Sequence, residues 1–134
     1  MKVLVFSYNA IIQDLTPFEH FTLLCLFRQY PGTNRKEIVA LVGMDPVKRE
    51  SGISVKGKTR ISKRGSHEVR KRLYEATLSA ARCNPSVGKI YQKLKARGKP
   101  DKAARIAAAR KLLIIAHAVY RNQEMYCRPE SEDA

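Results

Sequence analysis

Apolar positions recur at helical spacing along most of this chain, and the pattern lapses between residues 46 and 65. Thr16-Pro17-Phe18-Glu19 reads as a helix start, with Thr as cap, Pro in the first turn and Glu three residues after the cap. The predicted helix runs to about Tyr30, where Pro31-Gly32 stops it. Its Phe18, Phe21, Leu24, Cys25 and Phe27 are apolar almost all round. Such a helix needs burial, and a partner chain, including a second copy, is one way to supply it. Asn34-Arg35-Lys36-Glu37 repeats the capping pattern and opens a short helix through Ile38, Val39, Leu41 and Val42 to Gly43, before Asp45-Pro46 breaks it.

Helical period returns at Ser66, with Val69, Leu73, Ala76 and Ala80 on one face. Asn84-Pro85 closes that helix and opens another, carrying Val87, Ile90, Tyr91 and Leu94 to Gly98. Pro100 begins a long helix to about Asn122, with Ala104, Ala108, Leu112, Ile115 and Val119 as its core stripe. Between these blocks, glycines 52, 57 and 65 interrupt two β-prone pieces, Ile53-Ser54-Val55 and Thr59-Arg60-Ile61. Residues 1–13 are apolar and β-branched and predict a short strand, and the acidic tail from Pro129 predicts disorder. The expected fold is therefore mainly α, a small helical domain with a glycine-rich basic loop or short hairpin between helices. The expected division is an atypical segment over 1–32, a helical domain over 33–122 and a tail over 123–134.

Composition agrees with a helical core. The chain lacks Trp, and only 7% of its residues are aromatic, so the 44% hydrophobic content is mainly aliphatic. Cys25, Cys83 and Cys127 form no C-x-x-C pair, and His20, His67 and His117 are equally scattered. That spacing argues against a disulfide framework or zinc site. The start, Met1 to Phe6, has faint signal-peptide character, but the apolar run is short and Gln13-Asp14 follow. A cytoplasmic protein with no membrane partner is expected.

Charge changes the picture more. Lys and Arg number 26 against 12 Asp and Glu, giving +14. The densest part is 47–72: Lys48, Arg49, Lys56, Lys58, Arg60, Lys63, Arg64, Arg70, Lys71 and Arg72 face only Glu50 and Glu68, a net +8. Surfaces normally mix signs, and this one hardly does. Cations on a glycine-rich loop can follow a phosphate backbone and release its counterions. These ten residues are the expected nucleic-acid contacts, of the positioning rather than base-reading kind. A second basic run, Lys89, Lys93, Lys95, Arg97, Lys99 and Lys102, is spaced as a soluble helix face or a further contact.

Gly52-Ile53-Ser54-Val55-Lys56-Gly57-Lys58-Thr59 fits the P-loop pattern letter for letter. That motif requires a buried strand before it and a helix after it. Charged residues 48–50 precede it and Gly65 follows closely, so an NTPase is not expected. Ser51, flanked by Lys48, Arg49, Lys56 and Lys58, is either a turn serine or a nucleophile toward a phosphodiester. The cations suit the second role, but a serine also needs a base, and none is identifiable.

Several spaced motifs occur in order: Ala40-Leu41-Val42-Gly43-Met44-Asp45-Pro46, Glu50-Ser51-Gly52, Gly57 to Gly65, Arg70 to Tyr74, Asn84-Pro85, Tyr91, Arg97-Gly98-Lys99-Pro100 and Arg110 to Leu113. Over about 33–122 the chain resembles the C-terminal domain of the insertion-sequence 110 family of transposases, the Piv-like, DEDD-type enzymes. The resemblance implies a DNA recombinase acting on mobile-element ends, with a guide RNA in at least some members. It implies Ser51 as catalytic nucleophile and the basic stretch as its nucleic-acid neighbour. The family's RuvC-like domain, whose acidic residues bind magnesium, and its helix-hairpin-helix region are not recognisable in this sequence. The expectation is a truncated transposase, inactive alone, with no cofactor of its own. The alternative is a non-enzymatic RNA- or DNA-binding module, ribosome- or nucleoid-associated.

Overall fold

Side-chain caps fix where the first helices begin. The computed structural model describes residues 15–48, 50–51, 55–56 and 59–122; the expected strand in 1–13 and the acidic tail lie outside them. Helix α1 (Pro17–Gln29) opens on a capping box, in which Thr16 N–H donates to Glu19 Oε2 at 2.8 Å and Glu19 N–H donates to Thr16 Oγ1 at 3.3 Å. Helix α2 (Arg35–Val42) has the same device: Asn34 Oδ1 accepts from the N–H groups of Lys36 and Glu37, and Glu37 returns a carboxylate oxygen to Asn34 N–H. It ends on left-handed Gly43 (φ 78°). Ser66 caps helix α3 (His67–Cys83), and Asn84 both closes α3 and caps helix α4 (Pro85–Ala96), with Pro85 in the first turn. Helix α5 spans Asp101–Asn122.

The fold is mainly α. Five helices are present among the described residues, with two two-stranded antiparallel ladders between α2 and α3. Helix α5 packs against α2, α3 and α4, and more lightly against α1. Its expected stripe is buried, and Ala109, Leu113, Ala116 and His117 are buried as well. More than one face is covered because α5 is the central helix. Its alanines keep neighbouring helix axes close.

Helix α1 belongs to the same core. Leu15, Leu23 and Phe27 join the cluster formed by α2, α3 and α5, and Phe27 meets His117 edge-on at 5.3 Å between ring centroids. Burial is one-sided, however, since Phe18 and Phe21 remain 56% and 62% exposed. The Arg72 guanidinium lies over the Phe18 ring at 4.4 Å.

Candidate nucleic-acid interface

The basic stretch is an interrupted hairpin. Strand β1 (Pro46–Val47) pairs with β4 (Arg60–Ile61), and β2 (Glu50–Ser51) pairs with β3 (Val55–Lys56). Strand β4 falls within the β-prone piece read at 59–61 and β3 overlaps the one at 53–55, of which residues 53 and 54 lie outside the described residues. Val47 sits opposite Arg60, and Glu50 opposite Lys56. Residues 48–49 separate the ladders on the outgoing arm and 57–59 on the return arm, so the register shifts by one residue between them. Ser51 lies in β2, opposite Val55. Thr59 leads into β4, where a P-loop would begin a helix.

The base of the hairpin is bound to the helices by main chain. Lys63 N–H donates to Gly43 O and Ser62 N–H to Asp45 O, each at 3.0 Å, while the Ser62 hydroxyl donates to the Asp45 carboxylate. Gly43 and Gly65 make this approach possible. A Cβ on Gly43 would come within 2.6 Å of Arg64 N, and one on Gly65 within 1.9 Å of Leu41 O. Lys63 itself takes a left-handed backbone (φ 56°). Non-glycine residues adopt that conformation at a cost of roughly 1–2 kcal/mol.

The ten expected contact residues divide sharply. Arg70 is a structural clamp: its Nη1 donates to Val42 O at 3.1 Å and Gly65 O at 2.7 Å. Arg72 pairs with Glu68 at 2.8 Å and Glu75 at 3.7 Å. Lys48, Arg60, Lys63, Arg64 and Lys71 are exposed and join no ion pair among the described residues. Arg49 and Lys58 lie outside the described residues, and Lys56 is described as strand backbone in β3.

Beside the hairpin base lies an open groove of about 510 Å³, with Pro46, Thr59, Arg60, Ile61 and Lys63 on one side and the first turns of α5 on the other. Arg60, Lys63, Lys102 and Arg110 line it, and no carboxylate does so among the described residues. Arg110 also holds the hairpin, donating from Nε and Nη2 to Met44 O at 3.1 and 2.7 Å. Burial lowers the Arg110 pKa from its ordinary value, and the charge of Asp45 partly opposes this. The start of α5 is pinned by Asp101, which accepts from the Tyr91 hydroxyl and from Arg105 Nε at 2.9 Å. Those two hydrogen bonds, Tyr91's first, hold Asp101 below the usual carboxylate range.

Sequence reasoning placed Lys102 in a second basic run and assigned Arg110 no role. Positions 102, 106 and 110 fall on one face at steps of four, which was the available signal. What that face opens onto depends on the hairpin docking there.

The described residues include no group of three His, Cys, Asp or Glu side chains able to hold a metal ion. Cys25 and Cys83 are exposed free thiols. No described helix is long and apolar enough to cross a membrane. The arrangement is suited to gripping a polyanion with fixed cations.

Residues 28–92 match the family described as Transposase IS116/IS110/IS902 family. This match spans α2, the whole hairpin, α3 and most of α4. No curated protein matches the chain.

Proposed function

We propose that this chain, whose residues 28–92 match the family described as Transposase IS116/IS110/IS902 family, binds DNA through its basic hairpin and serves DNA transposition. The observation carrying this reading is that the family segment contains a hairpin whose exposed cations Lys48, Arg60, Lys63 and Arg64 have no carboxylate partner among the described residues. Unpaired cations along such a hairpin can follow a phosphate backbone, each neutralised phosphate releasing counterions.

Ser51 is the proposed nucleophile. Its Oγ attacks a DNA phosphorus, forming a serine–phosphate ester as the bond to one deoxyribose oxygen breaks, and the hydroxyl proton passes to that departing oxygen. The neighbouring cations would stabilise charge on the transferring phosphoryl group. A magnesium-binding acidic domain and a guide RNA are partners suggested by the family resemblance.

Duplex binding measured over a salt series tests the DNA reading, with steep loss of affinity as salt rises as the expected result. No binding at low salt sinks it. A covalent protein–DNA adduct lost in Ser51→Ala tests the chemistry. An adduct retained in that variant rules out Ser51. Preference for ribosomal RNA over DNA would instead favour the non-enzymatic binding module.

A further inference from the structure

We infer that the groove between the hairpin base and the first turns of α5 is a seat for DNA backbone phosphate, formed by Arg60, Lys63, Lys102 and Arg110. This deepens the DNA-binding reading and rests on it. Two of the four cations come from the hairpin and two from a helix that begins forty residues later, so the site exists only in the folded chain.

Three observations converge. First, the groove brings four cations together without a lining carboxylate among the described residues, whereas Arg72 and Arg105 elsewhere are ion-paired. Second, Arg110 is half-buried there with a neutral carbonyl as its acceptor. A desolvated guanidinium beside other cations is short of negative charge, which a phosphate would supply. The nearby Asp45 carboxylate, which accepts from the Ser62 hydroxyl, offsets the burial of this charge only in part. Third, Lys63 lines this groove from a left-handed backbone that favours glycine, although a lysine stands there. Strained non-glycine residues cluster at binding sites, where the side chain has a use that offsets the cost.

The groove also has apolar walls, Ile61 and Ile106, which suit the sugar edge of a backbone better than a free hydrated ion. Ser51 is four residues from Val47, a chain length that spans at most about 14 Å. A phosphate held in the groove therefore lies within a few nucleotides of the proposed nucleophile.

The test uses the full chain and a labelled DNA duplex over a salt series. Lys63→Asn removes the charge with a residue that tolerates left-handed backbone, and Lys102→Gln alters an exposed position, so neither threatens folding. Lys36→Gln, an exposed cation on α2 outside the groove, is the comparison. Helical circular dichroism verifies that each variant is folded. The expected result is a salt dependence shallower by about one phosphate equivalent for Lys63→Asn and for Lys102→Gln, and unchanged for Lys36→Gln. Wild-type slopes in both groove variants overturn the groove while leaving DNA binding intact. No binding by the unsubstituted chain overturns both readings. Weakening confined to a double-stranded RNA probe overturns the assignment to DNA.

Discussion

Arg110 donates from two nitrogens, Nε and Nη2, to the single main-chain oxygen of Met44, 66 residues away in sequence. Met44 is itself buried, directly after the glycine that ends α2. The contact therefore ties the middle of α5 to the entry of the hairpin. Charged hydrogen bonds of this kind contribute about 1.5–3 kcal/mol. Arg110→Ala is expected to lower stability by roughly that amount, and Arg110→Lys by less, since Lys keeps the charge but loses the fork. Urea unfolding checks this through the midpoint at constant slope. A loss below about 0.5 kcal/mol would show that the clamp contributes little.

Gly65 presents a different constraint. A Cβ there would overlap Leu41 O at 1.9 Å, whereas a Cβ at Gly98 meets nothing within 4 Å and suffers only the positive φ of 76°. Gly98→Ala is expected to cost about 1 kcal/mol, the usual penalty for left-handed backbone. Gly65→Ala should cost several times more, because main chain must move. Thermal denaturation of the two variants gives the comparison, and equal losses would refute the backbone-contact argument.

These two positions mark the limit of what could be read from the sequence. The caps at Thr16 and Asn34 were legible because capping is local, acting within a few residues. The stripe Ala104 to Val119 was legible because burial repeats every turn. Arg70 looked like one more cation in a basic run, since the carbonyl of Val42 that it holds lies 28 residues upstream. The hairpin was anticipated as a shape but not in its pairing, and Ser51 fell in a strand rather than at the opening of a loop. Arg110 and the groove required the docking of two distant segments, which no local pattern encodes.

His117 makes stability depend on pH. It is buried against Phe27, with Thr33 Oγ1 at 3.4 Å from its Nε2. Burial lowers its pKa, and the Arg121 charge adds to the effect. The folded state therefore binds its proton less readily than the unfolded chain. The stabilising contribution is present above the unfolded value of about 6.5 and is lost as pH falls through the lower folded value. Urea midpoints should decline from pH 7 toward pH 5, a window above ordinary carboxylate titration. His117→Gln should flatten that decline; an unchanged slope would exclude His117 as its source.

Cations with and without partners should behave differently toward DNA. Arg72 is engaged by Glu68 and Glu75, while Arg64 and Lys71 have no ion-pair partner among the described residues. Arg64→Gln and Lys71→Gln are each expected to make the salt dependence of duplex binding shallower by about one unit. Arg72→Gln should change it by less and cost at most about 1 kcal/mol of stability, as surface pairs do. An equal effect from all three would show that the Glu68 and Glu75 pairs leave Arg72 free to bind.

The seam where Gly43 and Lys63 meet has a consequence for how this protein can change. Because entry and exit are stitched together there, the excursion between them is a closed cassette whose length the helical core does not register. Doubling a closed loop adds only about 0.6 kcal/mol of closure entropy. Insertions, deletions or wholesale exchange of the hairpin between positions 48 and 59 should therefore leave the helices folded, so that the basic excursion can diversify while its mounting stays fixed.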